Sequence, residues 1–189
     1  MAADPVADAF AAAPRAWFLP PSARHRASHD GPIEIGHGQT NSQPRTVENM
    51  LRLLAVGPGD RVLDVGSGSG WTTGLLAHLT GPDGDVLGLE LEPDLVEFGR
   101  ANLARGDWPW ARIEAATPGS YGDPGGAPYD RILVSAQATE LPAALVDQLG
   151  PAGRMVIPVG GELVLVVTDR GDGQPVVSRH GRYRFVPLR

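Results

Sequence analysis

Two clusters of residues have types and spacing suited to chemistry. The first is Val62-Leu63-Asp64-Val65-Gly66-Ser67-Gly68-Ser69-Gly70. Glycines at alternate positions let the chain turn sharply from strand to helix and let a ligand approach bare backbone amides. Asp64 stands two residues before the first of these glycines, and Glu90 follows twenty residues after the last. Both acids end short apolar runs, 61–65 and 85–90, that read as buried strands, and open α/β sheets bind ligands at strand C-termini. A carboxylate at Glu90 can accept hydrogen bonds from the two hydroxyls of a ribose. The alternative is a glycine-rich turn with no ligand, but the strand-end acid at this distance favours a nucleoside site. The second cluster is Gly38-Gln39-Thr40-Asn41-Ser42-Gln43-Pro44. It offers hydroxyls and amides but no catalytic dyad. Thr40 or Ser42 would equally serve as the N-cap of a helix opening at Pro44.

The elements that must position these clusters alternate in type. Helical spacing is visible over 5–16, from Pro44 to the break at Gly57-Pro58-Gly59, over 71–79, over 93–105 and over 141–149. Strands are expected at 61–65, 85–90, 111–115, 129–135 and 154–159, and a closing hairpin over 162–169 and 175–185 turns at Arg170-Gly171-Asp172-Gly173. Alternating strands and helices imply parallel βαβ units, with the hairpin adding antiparallel strands at one edge. Residues 20–44 show little periodicity and read as a long functional or disordered connection.

At 189 residues the chain fits one domain with an adequate core. It contains no cysteine, which excludes disulfides, thiolate metal sites and cysteine nucleophiles. Its basic residues are all Arg, its net charge is −6, and no basic run is present, so nucleic acid is not an expected partner. No apolar run approaches a membrane span, and the first ten residues lack the pattern of a secretory signal. A cytoplasmic monomer is the expectation. His25 and His29 lie four apart, but their segment does not read as helix and no third ligand is evident, so no metal is expected. Trp108 and Trp110 are expected to pack, and Trp71 to lie near the glycine loop.

The glycine spacing is G-x-G-x-G rather than the dinucleotide pattern G-x-G-x-x-G. It resembles the first motif of S-adenosylmethionine-dependent methyltransferases, and an acid at this turn suits a cationic sulfonium and amino group better than a pyrophosphate. Further segments, in order, resemble the protein-L-isoaspartate O-methyltransferase family: Pro14-Arg15-Ala16-Trp17-Phe18-Leu19-Pro20, Pro32-Ile33-Glu34-Ile35-Gly36, the Gly38–Pro44 cluster, the run from Leu149 through Gly153-Arg154 to Pro158-Val159-Gly160, and Arg184-Phe185-Val186-Pro187-Leu188. The resemblance implies a Rossmann-like methyltransferase fold: a mostly parallel seven-stranded sheet with an antiparallel C-terminal hairpin and helices on both faces. It implies one domain, with 1–57 as a segment covering substrate and cofactor and 58–189 as the core.

It also implies S-adenosylmethionine as cofactor, held by Asp64, Gly66, Ser67, Gly68, Gly70, Glu90 and Leu91. The acceptor would be the α-carboxylate of an L-isoaspartyl residue in a protein or peptide, with Thr40, Ser42 and Gln43 beside the transferred methyl and Ser42 bonded to the carboxylate. A carboxylate is already ionised at neutral pH, so such a reaction needs positioning and desolvation rather than a base. The sequence departs from the family at Thr117-Pro118-Gly119, where G-D-G is usual, at Ser28 in place of a Tyr, and at Gln137 in place of an Ala. These departures keep two alternatives open: an aspartyl methyltransferase that tailors a peptide natural product, and a homologue that binds the cofactor without turnover.

Overall fold

The structure is a computed structural model that describes residues 4–169 and 174–189. A seven-stranded sheet forms its centre. The strands are β3 (Arg61–Val65), β4 (Asp85–Glu90), β5 (Ala111–Ala115), β6 (Tyr129–Val134), β7 (Leu149–Val159), β8 (Glu162–Val167) and β9 (Val176–Arg182). Their spatial order is β5-β4-β3-β6-β7-β8-β9. Pairing is parallel from β5 through β7 and antiparallel for β7-β8 and β8-β9, as the alternating pattern and the closing hairpin require. The chain leaves β3 toward β4 on one side and returns to β6 on the other, which opens a crevice at the C-terminal ends of β3 and β6. The hairpin turn expected at 170–173 lies outside the described residues.

One face of the sheet carries α1 (Pro5–Ala12), α2 (Pro44–Leu54) and α3 (Trp71–Thr80), whose Val6, Met50, Leu51, Leu75 and Leu76 pack with Val62 and Val86. Further along, α4 (Pro93–Leu103) seals Val96 and Leu103 against Ile113. The opposite face packs Leu63, Val65, Leu87, Ile132 and Tyr129 under α5 (Ala143–Val146) and adjoining loops. The helix expected over 141–149 is therefore only four residues long. Gln148 terminates it: its side chain bonds the Tyr121 carbonyl and the Asp123 amide, and its carbonyl accepts from Tyr129. The following strand begins at Leu149 rather than 154. It continues through the Gly150–Gly153 segment because the Thr168 hydroxyl donates to the Gly150 carbonyl and accepts the Gly153 amide, closing a bulge there.

The stretch 20–44 also holds more structure than its sequence suggested. Just before it Arg15–Phe18 is a 3-10 turn; within it Pro21–Arg26 is another, and β1 (Ile33–Gly36) pairs antiparallel with β2 (Gln39–Asn41). His37 and Gly38 form the two-residue turn, both at positive φ (52° and 69°), the backbone that suits a tight hairpin. Ile33 and Ile35 face inward while Glu34 and Gly36 face out.

Candidate active site

The glycine loop between β3 and α3 is shaped by backbone conformations that favour glycine. Gly66 and Gly68 sit at φ 78° and 53°. A Cβ on Gly66 would project toward Ser135 and Ala136 at the end of β6, and one on Gly68 would press the Ile35 side chain at 3.3 Å. Bare backbone therefore faces the crevice. Across it, Glu90 is buried at the end of β4. One carboxylate oxygen accepts the Gly68 amide at 2.8 Å; the other accepts Leu91 and Glu92 amides at 2.8 and 3.0 Å. The charge is thus fixed in place by backbone donors.

Gly66, Ser67, Gly68, Glu90 and Leu91 line one pocket, together with Thr40, Ser42, Trp71, Ala116, Tyr121 and Ser135. Two expected members lie elsewhere. Asp64 points under α3 rather than into the crevice: it is fully buried, and its Oδ2 accepts the Thr72 and Thr73 hydroxyls, each at 2.7 Å. Burial raises its pKa to about 6, with the Glu90 charge adding to the shift and the two threonines opposing it. Its position follows from strand alternation, since Asp64 shares the face of Val62, which α3 covers. Gly70 does not line the pocket either. A Cβ there would meet the Ile113 side chain at 2.9 Å and the Gly99 carbonyl at 3.0 Å, so this glycine lets α3 begin close against α4.

Thr40 and Ser42 come from β2 and the turn after it. Neither caps α2. Gln43 is its N-cap residue without a side-chain cap bond, and the Asp30 carboxylate instead accepts the Arg45 amide at 3.2 Å. The Thr40 and Ser42 hydroxyls bond no described residue, while both side chains border the pocket. Gln43 lies farther out. Its amide bonds the Asp30 carbonyl and the Thr46 hydroxyl, and it borders only an outer groove running along α2 and the 181–186 segment. Thr40, Ser42, Ser135 and Val186 line both cavities and so mark their junction.

What holds this junction carries no local signal in the sequence. Arg15, buried beneath β2, donates to the Asn41 side chain at 2.7 Å and to the carbonyls of His29, Gly31, Asn41 and Ser42 at 2.7–3.1 Å. Asn41 in turn donates to the Ser69 hydroxyl at 3.1 Å, joining the hairpin to the glycine loop. Burial lowers the Arg15 pKa to about 10. Trp71 lies beneath the Arg15 guanidinium at 5.3 Å and donates to the Ala13 carbonyl, so the N-terminal segment, hairpin and loop form one framework. At the other rim Gln137 exchanges backbone bonds with Val186 and Leu188, and Arg189 reaches Glu92 at 2.6 Å. Trp108 and Trp110 are partly buried and pack against the core, the latter donating to the Ala77 carbonyl.

A glycine loop after the first parallel strand of the crevice and a carboxylate fixed at the end of the second define an S-adenosylmethionine-dependent methyltransferase of the α/β class. The residues fit that cofactor. Gly66 and Gly68 leave the loop backbone bare, and Glu90 keeps lone pairs free for ribose hydroxyls. The family described as protein-L-isoaspartate(D-aspartate) O-methyltransferase (PCMT) matches residues 1–189, and the chain belongs to it. A protein-L-isoaspartate O-methyltransferase of Aeropyrum pernix is 44% identical over 186 residues, covering 97% of this chain and 72% of its own. One of Methanopyrus kandleri is 43% identical over 186 residues, covering 97% and 82%. Among solved structures, a protein-L-isoaspartate O-methyltransferase superimposes with a TM-score of 0.85 at 25% identity; it covers 98% of this chain, which spans only 61% of that protein's length. A Plasmodium falciparum PCMT solved with S-adenosyl-L-homocysteine gives 0.83 at 29% identity, covering 100% and 92%. None of the helices among the described residues is long and apolar enough to cross a membrane.

Proposed function

We propose that this protein methylates the α-carboxylate of L-isoaspartyl residues in damaged proteins or peptides. The ester then cyclises unaided to a succinimide, whose hydrolysis returns part of the material to normal aspartate. The observation that carries this reading is the junction itself: Thr40, Ser42 and Ser135 border both the cofactor pocket and the open groove along α2. A carboxylate entering from the groove meets hydroxyl donors at the point where the two cavities join.

S-adenosylmethionine supplies an electrophilic methyl group on a sulfonium. The chain's own task is to hold and desolvate the nucleophile, which is already charged at neutral pH. Ser42 donates its hydroxyl to one carboxylate oxygen, and Thr40 closes the other side. Arg15 sets the height of Ser42 by holding its carbonyl at 2.9 Å, and its buried charge lends positive potential beneath the acceptor. Gln43 aligns the peptide from the groove side. Glu90 fixes the ribose, and the Gly66–Gly68 backbone accommodates the remainder of the cofactor. Residues 1–57 act as a cover over the 58–189 core, and the protein works as a cytoplasmic monomer.

Ser42→Ala tests the assignment. Its kcat on an isoaspartyl peptide is expected to fall by roughly tenfold or more, the value of one hydrogen bond to a charged group. Unchanged kcat and KM would remove Ser42 from the reaction.

A further inference from the structure

The outer groove carries an unbalanced charge. The protein has a net charge of −6, yet the groove is lined by Arg45, Arg182 and Arg184 and by no Asp or Glu. Among the described residues Arg52, Arg100, Arg112, Arg131 and Arg179 each face a carboxylate within ion-pair distance, while Arg15, Arg105 and Arg154 spend their guanidinium groups on carbonyls. The side chains of Arg182 and Arg184 have no carboxylate partner among the described residues and are exposed. Glu162, which lies opposite Arg182 in the β8-β9 register, is taken by Arg179. Arg45 is only loosely matched, 3.7 Å from Asp30 with both groups largely exposed.

The backbone holds these cations in position. Tyr183 and Phe185 pack against the core, and the Asn49 amide donates to the Tyr183 hydroxyl at 3.0 Å, tying the segment to α2. Exposure alternates along 182–185, so Arg182 and Arg184 stay outward while their neighbours anchor them. Arg45 projects from the first turn of α2 on the other wall. The groove runs from these arginines to Ser42 and Ser135 at the junction.

We propose that Arg182 and Arg184, aided by Arg45, make this enzyme select isoaspartyl sites flanked by acidic residues. The proposal rests on the isoaspartyl reading above and specifies the substrate class within it. Unpaired guanidinium groups along a peptide groove attract Asp and Glu side chains on either side of the damaged residue and repel Lys and Arg. The attraction is exposed and is therefore screened by salt.

The test uses three synthetic isoaspartyl hexapeptides of one design, with Glu, Ser or Lys flanking the damaged residue. The expected order of kcat/KM is Glu over Ser over Lys, with the ends of the series separated roughly tenfold at low ionic strength and drawn together near ~0.5 M salt. Arg182→Glu with Arg184→Glu is expected to reverse the order. If that variant does not fold, the salt dependence of the unaltered enzyme decides the matter. Equal kcat/KM for all three peptides, or an order insensitive to salt, would overturn the proposal while leaving isoaspartyl methylation intact. Failure to methylate any of the three, with cofactor still bound by calorimetry, would overturn the underlying reading and this proposal with it.

Discussion

The Arg15 guanidinium donates to the Ser42 carbonyl at 2.9 Å, so a residue of the N-terminal segment fixes the height of Ser42, the proposed donor to the substrate carboxylate. The same side chain holds the carbonyls of His29, Gly31 and Asn41. Arg15→Met would leave these buried acceptors without partners, and the expected loss of stability is about 3 kcal/mol or more. Urea unfolding measures it. Arg15→Lys is expected to recover part of the stability but little of kcat, because a single ammonium cannot span the same carbonyls. Full kcat in the Lys variant would show that the junction does not depend on this fork.

Glu90→Gln separates cofactor binding from folding. The Gln oxygen can still accept one set of amides, but its NH2 group opposes the other, and the charge is gone. S-adenosylhomocysteine is expected to bind roughly 10- to 100-fold more weakly by calorimetry. Unaltered affinity would mean that the ribose is held elsewhere.

Asp64 gives the protein a pH signature. Burial raises its carboxyl to about 6 from an ordinary 3.8, so the folded state holds the proton more tightly than the unfolded chain. The stability this group contributes is full below the unfolded value, declines as pH rises from about 4 to about 6, and is level above that. Asp64→Asn lacks the slope. Its stability relative to the unaltered chain is therefore expected to rise by about 2–3 kcal/mol between about pH 4 and about pH 7, measured by urea unfolding without cofactor. A difference independent of pH would show that Asp64 ionises normally.

Gly70→Ala tests the division of the glycine loop into a ligand side and a packing side. At φ 86°, with the Gly99 carbonyl 3.0 Å from the added methyl, it is expected to cost about 2 kcal/mol or more in thermal unfolding. Cofactor affinity per folded molecule should change little. Gly68→Ala, inside the pocket, should reduce affinity as well. Equal affinity losses in the two variants would erase the distinction.

The sheet was legible because each of its central strands is a short apolar run between turn residues, and β3, β4 and β5 fall on their expected bounds. What failed to show was governed by contacts between distant residues. Asp64 ends its strand and reads as facing a ligand, yet the threonines at 72 and 73 bind it from the helix that follows. These two hydroxyls at the start of an apolar helix were the available signal. The β1-β2 hairpin hid behind Gly36, His37 and Gly38, which break periodicity in sequence and make the tight turn in space. Arg15 was visible only as part of a family-like segment. Nothing local distinguishes an arginine whose partners are carbonyls up to 27 residues away. Thr40 and Ser42 were legible as a cluster, but the choice between cap and site needed Asp30, which takes the capping role.

Methyl transfer from labelled S-adenosylmethionine to an isoaspartyl peptide, beside its normal aspartyl twin, separates isoaspartyl repair from every other reading of the site. Base-labile label on the isoaspartyl peptide and background on the twin is the expected result. Label on neither, with the cofactor bound, would contradict it and point to a dedicated peptide substrate or to binding without turnover; equal label on both would contradict the assignment of the α-carboxylate as the acceptor.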